Sequence, residues 1–305
     1  MIKIGELIRT YREQQGISQE ILSHGICSVS SLSRIENGIQ TPSRATFEAF
    51  MERMGLPAEL YPSFQNYREV EAFQLKHEIN QKLIADRNDE AEILLNKLRA
   101  MPELDRKCTQ FIMFAQAVLF RQRNGKPEEV LKALREAAKL SIRDTAPDKF
   151  TQQLLSTDEL YLMNYLAIAY FDNGMQQEGI NTLYALKEYI ERKVIDKKGI
   201  APLYTTILFN LSKWLGLESY YDETIKLSET GIQHCIEYGT YFVFAQLLFN
   251  KGYALLMLGQ KQEAKEYMLQ AYYIQKARGK LDACNAYYEF TIKHNIDLFS
   301  GNSHC

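Results

Sequence analysis

The feature that most constrains this chain is a recurring pair, an acidic residue followed by a small or short one. It occurs as Glu90-Ala91, Glu129-Val130, Glu178-Gly179, Glu223-Thr224 and Glu263-Ala264, at successive steps of 39, 49, 45 and 40 along the chain. A period of this length marks a stack of similar helical units, because one unit cannot bury its apolar face alone and must lean on the next. A small residue early in the second helix of each unit lets the two antiparallel helices approach closely. Composition agrees. The 305 residues include only 16 Gly and 7 Pro, too few turn-makers for a chain of many short strands. Hydrophobic residues at 46% and charged ones at 24% allow a sizeable core.

The clearest unit runs from Asn250 to Ala271, with Gly252 in its first helix, Leu258-Gly259 at the turn and Ala264 and Ala271 in its second. It resembles the tetratricopeptide repeat (TPR). Every step exceeds the roughly 34 residues of a consensus TPR, so the helices or loops are longer than usual. Gly125, Gly174 and Gly259 are expected at turns. The pattern predicts five helix pairs over 65–278 and a capping helix near 280–298.

The N-terminal segment, 1–55, differs. Ile4, Leu7, Ile8 and Tyr11 fall on one helical face, ended by Gly16. Ser18 is placed to cap a short helix over 19–23, and Ser28 to cap a third helix reaching Glu36. Thr41-Pro42-Ser43 opens a fourth, whose buried stripe is Phe47, Phe50, Met51 and Met54. Two short helices joined by a tight turn make a helix-turn-helix. The strings Ser18-Gln19-Glu20, Ser30-Ser31-Leu32-Ser33-Arg34-Ile35-Glu36-Asn37-Gly38 and Thr41-Pro42-Ser43 resemble, in order, the Cro/lambda-repressor-like (XRE) family.

That resemblance implies a third helix lying in the DNA major groove. Ser28, Val29, Ser30 and Ser31 would then face bases, while Gln19 and Arg34 would hold phosphates. Arg12 and Glu36 fall where the family forms an internal ion pair. Residues 1–60 carry six Lys/Arg against seven Asp/Glu, and the whole chain has a net charge of −2. Phosphate neutralisation supplies much of DNA affinity, so a monomer would bind weakly and dimerisation would matter. A module that contacts only protein is the alternative.

A TPR array lines its concave groove with the first helix of each pair. Counting back fourteen places from each small anchor gives His77, Gln116, Tyr165, Asn210 and Asn250, with Asn164 beside Tyr165. An asparagine amide carries both a donor and an acceptor, the complement of a peptide bond. The expected peptide-binding set is Gln116, Asn164, Asn210, Lys213, Gln246, Asn250 and Tyr253, in which Lys213 would meet a carboxylate. The plainer alternative is that Asn210 and Asn250 only satisfy neighbouring helices.

Catalysis finds no support. The five histidines show no metal spacing, no phosphate-cradling glycine loop is present, and His234 and Cys235 are adjacent and so diverge on a helix. No metal or cofactor is expected. Five scattered cysteines without a C-x-x-C read as reduced thiols of a cytoplasmic protein. The stretch 111–120 is too short to span a membrane.

A Cro-like domain joined to degenerate TPRs resembles the Rap, Rgg, NprR, PlcR and PrgX (RRNPP) family of peptide-sensing regulators. The resemblance implies an all-α fold: a helix-turn-helix domain over 1–57, a linker over 58–66, and a right-handed TPR-like solenoid over 67–298 that binds peptide and dimerises. It implies a cytoplasmic homodimer that binds operator DNA and is controlled by a short signalling peptide, as in quorum sensing. Two rivals use the same parts: a TPR adaptor that sequesters a partner such as a response regulator, and a phage-type peptide receptor.

Overall fold

A computed structural model describes residues 4–54, 67–84, 86–102, 104–193 and 197–299. All regular elements among them are α-helices. The expected linker, 58–66, lies outside the described residues. The chain divides into two compact units, 1–123 and 124–305. No helix among the described residues is long and apolar enough to cross a membrane.

The first unit opens with α1 (Ile4–Gln14), α2 (Gln19–Ser23), α3 (Val29–Glu36) and α4 (Arg44–Arg53). Serines start three of them. Ser18, Ser28 and Ser43 each accept, through Oγ, a backbone N–H from Ile21, Ser31 and Thr46, at 3.1, 3.1 and 3.2 Å. Leu7, Ile8, Tyr11, Leu22, Leu32, Ile35, Phe47, Phe50, Met51 and Met54 form one core. Burying each large side chain contributes about 1.5–3 kcal/mol. Helices α1 and α3 touch backbone to backbone at Gly5, where an added Cβ would lie 1.6 Å from the Ile35 carbonyl oxygen. Arg53 of α4 donates from Nη1 to the carbonyls of Leu22 (2.8 Å) and His24 (2.5 Å), a cation at the C-terminus of α2. Three further helices follow, α5 (Tyr67–Ile84), α6 (Asn88–Arg99) and α7 (Arg106–Gln122), and pack against one another. Tyr11 Oη donates to Gln74 Oε1 at 2.9 Å, tying α1 to α5.

The second unit holds α8 (Pro127–Ala138), α9 (Pro147–Phe150), α10 (Thr157–Asp172), α11 (Gln176–Lys193), α12 (Lys197–Leu217), α13 (Tyr221–Tyr238), α14 (Phe244–Met257), α15 (Lys261–Ala277) and α16 (Leu281–Lys293). Successive helices pack from α10 to α16, and α12 also packs on α14. The first members of the pairs (A helices) are α10, α12 and α14, and the second members (B helices) are α11, α13 and α15.

The small anchors keep one register. Ala91, Val130, Gly179, Thr224 and Ala264 are each the fourth residue of their helix, and all are buried. The reason is visible at Gly179, where an added Cβ would meet the Ala167 carbonyl oxygen of α10 at 2.8 Å. Each A-to-B turn carries one left-handed residue: Asp86, Asn124, Gly174, Ser219 and Gly259, with φ between 56° and 83°. The turn expected at Gly125 is therefore made by Asn124. Asn and Asp tolerate this conformation better than most residues.

Two other expectations are corrected. Helix α9 was not anticipated; Pro147 starts it and the fully buried Phe150 holds it against α11. The last helix ends at Lys293, not near 298. Asn295, at φ 54°, turns the chain so that Ile296 and Leu298 join Leu255, Leu256, Ala264 and Met268 in a core.

Candidate functional site

The first candidate surface is the outer side of α3. Leu32, Ile35 and Glu36 are buried, while Val29, Ser30 and Arg34 are exposed. Ser28 holds the N-terminus of this helix. Its Oγ accepts from the Ser31 N–H and lies 2.9 Å from Ser30 Oγ and 2.8 Å from Ser31 Oγ. The helix thus presents a tight patch of hydroxyls beside the methyls of Val29, groups suited to base edges and thymine methyls.

At the other end of α3, Arg12 and Glu36 form a bidentate pair. Arg12 Nε lies 2.6 Å from Glu36 Oε1, and Nη2 2.9 Å from Oε2. The Glu36 side chain is 1% exposed. Arg12 Nη1 also donates to the Ile17 carbonyl at 2.9 Å. The hydrogen bond to Glu36 raises the Arg12 pKa, against the opposing effect of burial. Together these contacts lock α1, the α1–α2 turn and α3. Gln19 departs from the expected phosphate role: its Nε2 donates inward to Glu36 Oε2 at 2.7 Å. A phosphate contact by that amide requires it to leave the carboxylate.

The second candidate is a cavity of about 340 Å³ in the second unit. Its walls come from three helices. Phe209, Ser212, Lys213 and Leu217 lie on α12; Gln246, Phe249, Asn250 and Tyr253 on α14; and Tyr287 and Phe290 on α16. These are alternate helices, so α16 stands where the A helix of a further pair would stand. It is a cavity wall as well as a cap.

The lining is aromatic. Phe249 stacks on Tyr287 with centroids 4.1 Å apart, and Phe290 meets Phe249 edge-on at 5.4 Å. Burial raises the pKa of Tyr253 and, with a smaller lowering effect from Gln275, of Tyr287. Both phenols remain protonated donors near neutral pH. Lys213 is the one charged residue of the lining, and it is exposed. Gln246 Oε1 is buried without a hydrogen-bond partner. A buried acceptor left without a partner costs about 1–3 kcal/mol.

Of the expected peptide-binding set, Lys213, Gln246, Asn250 and Tyr253 come together here. Asn250 Nδ2 already donates to the Phe209 carbonyl (3.2 Å) and to Ser212 Oγ (2.9 Å). The amide therefore ties α14 to α12, and its carbonyl oxygen is the part left for a ligand. The other three do not line the cavity. Gln116 is exposed on α7 of the first unit. Asn164 is 1% exposed on α10 with Oδ1 unpartnered, and Asn210 is buried on α12 with Nδ2 unpartnered. The amides of Gln116, Asn164, Asn210 and Asn250 thus do not line one groove together. His77 is also exposed and Tyr165 only half-buried, so the position fourteen places before each anchor has no common environment.

The sequence reading missed Phe249, Tyr287 and Phe290. The two on α16 follow no acidic-small anchor, because no B helix comes after α16 among the described residues. The described residues contain no group of three or more His, Cys, Asp or Glu placed to hold a metal.

Comparison with known proteins adds to this geometry. A family model described as a helix-turn-helix domain matches residues 3–64. No curated protein sequence matches the chain. Among solved structures, Bacillus thuringiensis PlcR in complex with the peptide PapR7 and DNA is similar at 21% identity and a TM-score of 0.66, over 93% of this chain and 99% of PlcR. ComR from S. thermophilus, in complex with DNA and its signalling peptide ComS, is similar at 17% identity and a TM-score of 0.56, over 96% and 100%. The SHP pheromone receptor Rgg2 of Streptococcus dysgalactiae is similar at 18% identity and a TM-score of 0.54, over 95% and 99%. Residues 3–64 are a helix-turn-helix domain, and the chain over nearly its whole length has the fold of PlcR, ComR and Rgg2.

Proposed function

We propose that this chain is a transcription regulator that binds operator DNA through α3 and is controlled by a short linear peptide held between α12, α14 and α16. The observation that carries the reading is the make-up of the cavity in a chain that also exposes the hydroxyl patch of α3. Aromatic walls take apolar side chains, Gln246 Oε1 accepts a peptide N–H, and Lys213 draws a carboxylate. The cavity lies near the small end of the ~300–1,000 Å³ range of ligand pockets, so it suits the anchoring end of a peptide more than its whole length. The solved relatives with this fold include two captured with both DNA and a peptide.

In this reading Ser30, Ser31 and Val29 contact bases, and Arg34 contacts phosphates, joined by Gln19 only once its amide leaves Glu36. The near-neutral charge of residues 1–60 makes one domain a weak binder, so the working form is a homodimer on a two-fold operator. Peptide acts by binding one arrangement of the paired domains more tightly than the other.

Selection from random duplex DNA tests the DNA arm. The expected product is a two-fold site whose half-sites are separated by whole helical turns. Ser30→Ala with Ser31→Ala should relax its sequence preference. Recovery of no preferred sequence would refute the reading.

A further inference from the structure

The cap and first turn of α3 carry three hydroxyls, from Ser28, Ser30 and Ser31, and one isopropyl group, from Val29. No arginine, lysine, asparagine or glutamine stands among them, so the bidentate hydrogen bonds that single out guanine or adenine are not available there. The long cation of this helix, Arg34, is more than one turn further on. At the far end the Asn37 amide is turned back on its own helix, with Nδ2 donating to the Ser33 carbonyl at 2.8 Å. The Gln19 amide, on α2, is bonded to Glu36.

The hydroxyls discriminate weakly. Each can donate or accept, so it fits several base edges. They are also engaged with one another, since Ser28 Oγ lies 2.9 Å from Ser30 Oγ and 2.8 Å from Ser31 Oγ. Val29 differs. It is the only apolar side chain exposed on α3, at 43%, and it stands outside the core of the domain. Two branches at Cβ restrict a valine on helical backbone to one strongly preferred rotamer, so its methyls are in place before any ligand arrives.

We infer that Val29 is the main specificity-determining residue of α3, and that it reads the C5-methyl of one thymine in each half-site of the operator. Thymine alone among the four bases presents a methyl group in the major groove. A fixed isopropyl group gains by burying that methyl. Against cytosine or guanine it desolvates a polar edge without giving it a hydrogen bond. The hydroxyls beside it adapt to whichever edges flank the thymine. The half-site is therefore anchored on thymine opposite Val29, with weaker selection at the neighbouring positions. Two other aliphatics of the domain are exposed, Ile21 on α2 and Ile39 in the turn after α3, and the second serves as a control.

The inference rests on the proposal that α3 reads operator DNA, and the experiment separates the two. The two-fold site recovered by selection is synthesised with each thymine of the half-site replaced in turn by deoxyuridine, in both halves at once. This removes the C5-methyl and leaves every hydrogen-bonding group of the base pair. Binding of the full chain is measured by fluorescence anisotropy for wild type, Val29→Ala, Val29→Ile, Ile39→Ala and Ser30→Ala, with circular dichroism to confirm folding. Uracil at one position should weaken wild type about 5- to 30-fold. Val29→Ala should bind the thymine site about as weakly as wild type binds the uracil site, and should lose the uracil effect. Val29→Ile, Ile39→Ala and Ser30→Ala should keep it. Recovery of no preferred sequence would overturn the reading of α3 and this inference with it. A two-fold site in which no thymine is sensitive to uracil would overturn the inference alone. A uracil effect that persists in Val29→Ala would belong to DNA shape, and one abolished only by Ile39→Ala to the turn after α3; either would remove Val29 from the role.

Discussion

Replacing Glu36 by Gln should damage the helix-turn-helix domain far more than a one-atom change suggests. The Glu36 carboxylate is almost fully buried and accepts from Arg12 Nε, Arg12 Nη2 and Gln19 Nε2 at 2.6, 2.9 and 2.7 Å. The amide that replaces it turns one acceptor into a donor facing donors and leaves the Arg12 cation without its counter-charge. Breaking a buried pair in this way costs about 3–5 kcal/mol. At about 1.4 kcal/mol per tenfold, amide exchange within α3 should quicken by roughly 10²- to 10³-fold or more, until limited by unfolding of the domain. The assay is hydrogen exchange at the Leu32 and Ile35 amides. The fluorescence of Trp214, the single tryptophan, reports the second unit and serves as an internal control. Arg12→Met combined with Glu36→Leu should recover most of the loss, since apolar replacement of a whole buried pair is often neutral or stabilising. Acceleration of less than about tenfold in Glu36→Gln, with the double variant no better, would refute the assignment of Arg12 and Glu36 as the tether of α3.

Four other outcomes follow from the geometry. Lys213→Ala should leave the Trp214-monitored stability within about 0.5 kcal/mol of wild type yet weaken carboxylate-ended peptides, as titration calorimetry can check, whereas Asn250→Ala should cost about 1–3 kcal/mol in stability because the Phe209 carbonyl and Ser212 lose a donor. Ser219→Gly should raise the denaturation midpoint by about 0.5–1 kcal/mol in stability, since a left-handed serine costs about 1–2 kcal/mol and glycine returns part of that as chain entropy; an unchanged or lower midpoint would show that the turn is not strained. His234 packs between Tyr204 and Tyr238, and burial holds its pKa below the usual value, with Glu237 raising it and Lys197 lowering it by less. The unfolded chain therefore takes up this proton more readily than the folded one, so stability is full above the ordinary histidine pKa and is lost as pH falls below it. Denaturation curves between pH 7.5 and 5.5 should show that loss, and His234→Phe should reduce it.

Much of the fold was legible because it rests on local chemistry. Ser18, Ser28 and Ser43 announce three helix starts through caps that operate within a single turn, and the paired Arg12 and Glu36 follow from a motif that spaces them reliably. The small anchors were legible for a similar reason. Only a short side chain fits where two helices nearly touch, and that constraint survives even where the rest of the repeat has drifted. The turns were less legible because Asp86, Asn124 and Ser219 adopt the left-handed conformation that glycine would have advertised. Helix α9 is a single turn held by the burial of Phe150, a tertiary contact with no local signal.

The residues of the cavity show the same division. Lys213, Gln246, Asn250 and Tyr253 lie on α12 and α14, whose register the anchors supply. Tyr287 and Phe290 lie on α16, which has no anchor. Asn210 and Asn250 stand at the same count from their anchors, across the equal turns 218–220 and 258–260, yet only Asn250 lines the cavity, so the neighbouring helices and not the count decide the setting. Counting along the chain found the helices that matter, and packing decided which side chains reach the cavity.

The central claim of the proposed function is that peptide in the cavity and DNA on the helix-turn-helix domain are coupled, and reciprocal titration tests it most directly. DNA affinity is measured by fluorescence anisotropy with and without saturating peptide, and peptide affinity by calorimetry with and without saturating DNA. The account requires both to change by the same factor, within the roughly 5- to 150-fold typical of such coupling, and requires Lys213→Ala to weaken the peptide while leaving peptide-free DNA binding unchanged. DNA affinity that is identical with and without bound peptide would contradict it.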